Sequence, residues 1–521
     1  MKLAFLHTSD IHGYIMPTDY QKKGDYTAPF SLSRASTLIQ KEREKFGADN
    51  VVVTDAGDLL QGAPLATYTS KQDYAKGIEH YTEAFNKVGY DARVLGNHDF
   101  DYGLDYLTYY IDHTKAPMLN DNVLDEQTGM PFAGRQYTIV EKAGLKIGIV
   151  GVCTQYVPHW QNAEHIKGLK FISAFDGIKP LVKKLRPQVD VLALVYHGGF
   201  ESDPATGKAT QPHNGENEGY KILSELPEID VILAGHQHNR AALVAKDTPI
   251  VQPGFRGDCI GEVVLDIEKD ADGKAVIKNA TAELLDTKDS EPDQAVVDEV
   301  KELDAETQVW LDKPIAHMSA AAPIEHPLED RLTGAPFINL IQQMELWFSH
   351  ADVAATAIMT DAAHGFTQDV TMRQVLLNYP FANQLCVVKL TGKELREVME
   401  HAATYVTKDE NGKVKFKDKY VTPQNMLFNF DLFYPIHYEV DASKPEGERI
   451  TKLELNGKPL DDNKTYRLAV NNYRANGGGF YPCYSMDKIE STSDQDYVQM
   501  FGTFLSQDDI EVDTKHNYKF Y

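Results

Sequence analysis

Long apolar runs are missing from these 521 residues. No stretch is long and apolar enough to span a bilayer, so the chain reads as globular. A secretory segment is missing too: Met1-Lys2 leads into a short apolar strand that runs straight to Asp10, and cleavage there would remove a candidate site residue. Cysteine is scarce. Cys153, Cys259, Cys386 and Cys483 are widely scattered and show no C-x-x-C pairing, so they read as buried small hydrophobes in a reducing compartment. The expectation is a cytoplasmic protein. Positive charge is also short, with 52 Lys and Arg against 77 Asp and Glu and a net charge of −25. That balance argues against nucleic acid or an anionic membrane as partner, since either would be repelled. Internal repeats and low-complexity tracts are absent. The segment Gly477-Gly478-Gly479 has no Lys-Ser/Thr after it and opens no helix, so a P-loop is excluded.

What the chain does have is a series of short motifs, each where an apolar run stops. They are Asp10-Ile11-His12, Gly57-Asp58, Gly96-Asn97-His98-Asp99, His197 and Gly235-His236-Gln237-His238. The preceding runs are LAFLHTS, VVVTDA, ARVL, VLALVY and VILA. Five strands are therefore expected to deliver carboxylate, imidazole and amide groups to one edge of a sheet, where open α/β sheets keep their sites.

A mixed Asp, His and Asn set suits borderline divalent metals such as Zn, Mn, Fe or Co better than Ca or Mg. No thiolate joins the set. Asp10, His12, Asp58, Asn97, His197, His236 and His238 exceed the needs of one tetrahedral ion, whereas two ions roughly 3.5 to 4 Å apart with a shared carboxylate would use them all. Asp58 is the natural bridge, because Gly57 and Gly62 let its loop approach the metals. His7, His80, His113, His165 and His401 lack this setting and read as structural or surface residues.

The order and residue types resemble the calcineurin-like metallophosphoesterases of the 5'-nucleotidase group. The resemblance implies that Asp10, His12, Asp58 and His238 hold one ion while Asp58, Asn97, His197 and His236 hold the other. It also implies that His98 faces the phosphate, kept charged by Asp101, with Asn97 helping to orient the phosphoryl oxygens. The implied fold is α/β: an N-terminal four-layer αββα sandwich followed by a C-terminal α+β substrate-binding domain. There the segment Asn471 to Pro482 is similar to a family loop that sets an aromatic ring, here Tyr481, against the nucleobase. Phe430 would supply the second ring, and Asp487 would accept from ribose hydroxyls. Asn471-Asn472-Tyr473-Arg474-Ala475, Gly215-Glu216-Asn217 and Phe428-Asn429-Phe430-Asp431 lean toward the 2',3'-cyclic-nucleotide 2'-phosphodiesterase/3'-nucleotidase branch. The Asn-Gly-Gly-x-Arg segment of the true 5'-nucleotidases is replaced by IMTDAAHGF at residues 358 to 366.

The length suits two cores better than one. Strand-like runs alternate with amphipathic stretches to about residue 270: a helix opening at Ser31, then others over 173 to 186 and 217 to 226, predict a sheet covered on both faces. The later runs Pro249 to Gln252 and Ile260 to Ile267 are expected to finish a second sheet. A charge-rich segment over 286 to 314 reads as a helix between two bodies, giving a catalytic domain at 1–285, a linker helix and hinge at 286–319, and a nucleotide-binding domain at 320–521. The expected function is dinuclear metal-dependent hydrolysis of small-molecule nucleotide phosphoesters, most of all 2',3'-cyclic-nucleotide 2'-phosphodiesterase/3'-nucleotidase activity. The alternatives are a 5'-nucleotidase or nucleotide-sugar hydrolase, and a non-catalytic nucleotide-binding protein.

Overall fold

The apolar run that opens the chain folds as the strand Lys2–Thr8, buried from Leu3 onward. Val51–Asp55 pairs with it in parallel, and Ala92–Val94 and Met118–Leu119 extend the same parallel ladder. On its other side Cys259–Lys269 and then Ala275–Asp286 run antiparallel, completing a six-stranded sheet. A second six-stranded sheet has Leu145–Cys153, Val191–His197, Val231–Ala234 and Thr248–Pro253 in parallel at its centre, flanked by antiparallel Tyr137–Lys142 and Arg240–Ala245. The central strands read as continuous Val, Ile and Leu because they are covered on both faces.

The structure is a computed structural model that describes residues 1–521 apart from 72, 73, 212, 382, 423, 424, 508 and 509. It divides into two compact units, Met1–Val309 and Trp310–Tyr521, with the boundary inside the helix Gln294–Leu311.

Within the first unit the two sheets pack face to face. Leu3, Phe5, Val52 and Val94 from one share a core with Ile147, Ile149, Val195 and Leu233 from the other. Each such fully buried large side chain contributes about 1.5–3 kcal/mol. The outer face of the second sheet buries Val150, Val152, Leu192 and Leu194 against Phe175, Ile178 and Val182 of Ala174–Leu185 and Ile222 of Gly219–Glu225. On the outer face of the first sheet lies Leu32–Phe46, capped by Ser31, whose Oγ accepts from Arg34 N at 3.1 Å. The layers run helix, sheet, sheet, helix, so this is the four-layer α/β arrangement.

Each sheet is covered on both faces, as expected, by helices on one side and the other sheet on the other. One expectation about the sheets is corrected. Ile260 to Ile267 does not finish the second sheet, because Cys259–Lys269 returns to cover the edge of Lys2–Thr8. An uncovered edge there would leave a row of unpaired backbone groups.

The second unit is built on a five-stranded mixed sheet in the order Leu432–Tyr434, Val353–Thr356, Thr465–Asn471, Gln384–Thr391 and Ile489–Asp496. A four-stranded sheet contains His437–Val440, Ile450–Leu455 and Tyr518–Phe520. The helices Gly392–Ala403 and Tyr497–Leu505 each begin with a reciprocal capping box, at Thr391 with Glu394 and at Asp496 with Gln499. Among the described residues no helix is long and apolar enough to cross a membrane, and Cys153, Cys259, Cys386 and Cys483 are unpaired.

Candidate metal centre

The parallel strands of both sheets point their C-terminal ends to one edge of the sandwich, and the motif residues sit there. Asp10 and His12 follow Lys2–Thr8, Asp58 follows Val51–Asp55, Asn97 follows Ala92–Val94, His197 ends Val191–His197, and His236 and His238 follow Val231–Ala234. Asp10, His12, Asp58, His236 and His238 all have positive φ, between 49° and 71°. Left-handed backbone is uncommon away from glycine and clusters at functional sites. Neighbouring glycines make the close packing possible: a Cβ on Gly96 would lie 2.2 Å from Asp58 Oδ1, and one on Gly57 would lie 2.3 Å from Gly96 N.

All seven candidate ligands converge in two groups. Asp10, His12, Asp58 and His238 each present a ligand atom within 4.8 Å of the others. In the second group Asn97 Oδ1 lies 2.9 Å from His197 Nε2 and 2.8 Å from His236 Nδ1. Asp58 belongs to both, its Oδ2 being 3.7 Å from His12 Nε2 and 3.3 Å from His197 Nε2.

The hydrogen bonds around this cluster test whether it suits a cation. His12 Nδ1 lies 3.0 Å from Gln61 O and His197 Nδ1 lies 2.7 Å from Ala56 O. A carbonyl only accepts, so each Nδ1 carries a hydrogen and each Nε2 is turned inward. His12 Nε2 then faces His238 Nε2 at 3.0 Å, and His197 Nε2 faces the oxygens of Asn97 and Asp58. Burial lowers the His12 pKa to about 4, which keeps that ring neutral. Burial opposes charge on His197 as well, but Asp58 raises its pKa to about 9, so the inward-facing nitrogens and carboxylate oxygens make a cluster that could hold a cation. Burial would raise the Asp58 carboxyl, but the imidazoles of His197, His98 and His12 hold it well below the usual range. The donor set therefore fits divalent metal, with Asp58 common to both groups.

His98 stands apart from the ligands. Its backbone N donates to Asp58 Oδ1 at 2.7 Å, while its ring Nδ1 meets Asp101 Oδ2 at 3.0 Å. Burial opposes charge on this ring, yet Asp101 and Asp58 push its pKa up to about 10. It is an imidazolium at neutral pH.

Two supporting residues escaped sequence reasoning. Asp99 is buried and accepts from the backbone N of Asp58, Leu59, Leu60 and Gly96 at 2.8–3.1 Å, which ties the Asp58 loop to the Asn97 loop. Its place in Gly-Asn-His-Asp was a usable signal. Gln161 donates to Asn97 O at 3.0 Å and also to Asp101 Oδ1, and nothing in the local sequence marks it.

In the second unit the structure corrects the two aromatic assignments. Phe430 is 1% exposed, with Phe416, Phe520 and Tyr405 around its ring at 4.9, 5.7 and 6.0 Å, so it is a core side chain with no free face. Tyr481 is 4% exposed; its hydroxyl donates to Asn429 O at 2.8 Å and accepts from Asp431 N at 3.1 Å. Its ring lies over Arg474, whose guanidinium pairs with Asp431 through Nε at 2.7 Å and Nη2 at 2.9 Å. The turn that follows Gly477 and Gly479, at φ 92° and 75°, directs Tyr481 inward and leaves Phe480 45% exposed. Phe428 is half-buried, and Asp487 is exposed in the turn Met486–Lys488.

Comparison with known proteins agrees with this geometry. Residues 3–240 match the family described as calcineurin-like phosphoesterase, and residues 314–486 match the 5'-nucleotidase C-terminal domain. A 2',3'-cyclic-nucleotide 2'-phosphodiesterase/3'-nucleotidase of Salmonella typhimurium is 29% identical, over 92% of this chain and 82% of its own. One of Yersinia enterocolitica is 28% identical, over 92% and 81%. Among solved structures, a proposed 5'-nucleotidase of Staphylococcus aureus, crystallised with alpha-ketoglutarate, is 31% identical with a TM-score of 0.89 over the whole of both chains.

Proposed function

The chain belongs to the 5'-nucleotidase family of calcineurin-like phosphoesterases and is a metal-dependent phosphoesterase; from that premise we propose that it hydrolyses nucleotides as a 2',3'-cyclic-nucleotide 2'-phosphodiesterase and 3'-nucleotidase. The observation that carries the dinuclear part is the meeting of two ligand groups at one carboxylate, Asp58. Asp10, His12, Asp58 and His238 would hold one divalent ion, and Asp58, Asn97, His197 and His236 the other. Mn, Zn, Co or Fe suits such a donor set. When bound, a pair of such ions acidifies water and neutralises phosphoryl oxygens.

The remaining steps belong to the chain. Asn97 orients the phosphoryl group through its amide. His98, charged and held by Asp101, stabilises the developing negative charge and can protonate the leaving oxygen. That charged dyad also disfavours a non-catalytic nucleotide-binding role, which would not need it. In the second unit an exposed ring on the glycine loop, Phe480, is better placed than Tyr481 to stack on a base. The four unpaired cysteines suit a reducing compartment, so a cytoplasmic location is part of this proposal.

The cyclic-nucleotide assignment rests on the two relatives so described, and the Staphylococcus aureus relative favours a 5'-nucleotidase as the second reading. A screen of 2',3'-cyclic, 3'- and 5'-nucleotides with the purified enzyme, each with Mn, Zn, Co and Mg, separates them. Turnover confined to 5'-nucleotides would overturn the first reading, and no turnover with any metal would overturn both.

A further inference from the structure

Glu216 is outside every ligand motif, yet it brings a carboxylate to the back of one imidazole. His236 turns Nδ1 toward Asn97 Oδ1 at 2.8 Å, and its other ring nitrogen, Nε2, lies 3.2 Å from Glu216 Oε1. A carboxylate accepts, so Nε2 carries the hydrogen and Nδ1 keeps its lone pair for the metal centre.

The other three imidazoles are held differently on the side away from the centre. His12 and His197 donate to the carbonyls of Gln61 and Ala56, while His238 stacks on Phe255 with ring centroids 4.9 Å apart. Among the described residues, His236 alone has a carboxylate outside the ligand set as its outer partner. The loop that presents Glu216 does not depend on that side chain. Thr154 Oγ1 donates to Glu216 O at 2.6 Å, Gln155 Nε2 to Gly215 O at 3.0 Å, and Gly199 N to Asn217 Oδ1 at 2.6 Å. Asn217 itself is buried. A loop held through its backbone and Asn217 thus aims the Glu216 carboxylate at one ligand.

We propose that Glu216 is a positioning residue that fixes the tautomer and ring orientation of His236, and so sets the affinity of one ion of the pair and not of both. The inference rests on the dinuclear reading. Carboxylate partners of metal-bound histidines are typically worth about 10- to 100-fold in metal affinity. The dependence should fall on the ion held by Asn97, His197 and His236, because among the described residues the partners of His12 and His238 are Gln61, Phe255 and each other together with Asp58 and Asp10.

Mn2+ titration calorimetry of the full chain, with metal content after dialysis and the Tm of the metal-free protein, tests this. Wild type should bind two ions. Glu216→Gln, which keeps an acceptor and loses the charge, should weaken one of them about 10-fold, and Glu216→Ala nearer 100-fold. The other ion and the metal-free Tm should hold. Unchanged affinity for both ions in Glu216→Ala would overturn the role of Glu216 and leave the dinuclear reading standing. Equal weakening of both, with a fallen metal-free Tm, would show instead that Glu216 supports the loop. Fewer than two ions on wild type would overturn the dinuclear reading and this inference with it.

Discussion

Replacing His98 with Asn separates a catalyst from a ligand. The bond that joins this residue to the metal cluster is its backbone N to Asp58 Oδ1 at 2.7 Å, which the substitution retains. What is lost is the imidazolium, whose Nδ1 meets Asp101 at 3.0 Å and whose pKa is pushed up to about 10 against the opposing effect of burial. A positioned acid or charge of this kind contributes about 10²- to 10⁴-fold to rate. We expect at least the lower end, about 10²-fold in kcat, or about 2.7 kcal/mol at 1.36 kcal/mol per tenfold. The pair is only partly exposed, 31% at His98 and 9% at Asp101, so the Tm of the variant is read beside its activity. The assay is steady-state hydrolysis of the preferred nucleotide beside metal content by mass spectrometry. Loss of metal in His98→Asn would make His98 a ligand and refute the division of roles. Full metal with unchanged kcat would refute its part in the chemistry.

Asp58→Ala should remove both ions together with activity, because both ligand groups lose their shared carboxylate; full metal occupancy in this variant would end the dinuclear assignment. Phe480→Ala should weaken nucleotide binding by about 1–3 kcal/mol, the scale of base stacking, while hydrolysis of methyl p-nitrophenyl phosphate changes much less; equal losses on both substrates would assign the ring to the fold. Tyr481→Ala should instead cost about 3–5 kcal/mol of stability in the second unit, as other buried aromatics do, read as a lowered Tm. Arg474→Met leaves the buried Asp431 without its partner and should destabilise that unit by about 3–5 kcal/mol; a Tm within a degree of wild type would show that the pair is dispensable.

The candidate ligands were legible because each follows an apolar run, and a parallel strand that ends at the site edge leaves a visible mark: apolar residues, then Asp, Asn or His. Sheet assignment left no such mark. Cys259–Lys269 pairs with Lys2–Thr8 across most of the first unit, and nothing local to either strand distinguishes that partner from the second sheet. The aromatic assignment failed for a different reason. Phe480 and Tyr481 are adjacent, and which ring faces outward is decided by the positive φ of Gly477, Gly479 and Phe480, a backbone property that residue types only suggest. Phe430 lies in a run of aromatics, where core packing and ligand stacking look alike until neighbours such as Phe416 and Phe520 are known. Gln161 was invisible, and the motif Gly215-Glu216-Asn217 gave no sign of what Glu216 touches, because their partners, Asp101 and His236, are reached only through the fold.

The charge of the chain gives the metal centre a second consequence. A protein at −25 must attract an anionic phosphoester, and the inner surface of its site carries the carboxylates of Asp10 and Asp58, both held ionised well below the usual range. On the dinuclear reading two divalent ions would outweigh the two carboxylates, and His98 would add to the excess, so filling the centre would make the local charge positive. Metal loading would then govern substrate capture as well as the chemical step. A residue that tunes the affinity of one ion, as Glu216 is placed to do, would then act on KM before it acts on kcat.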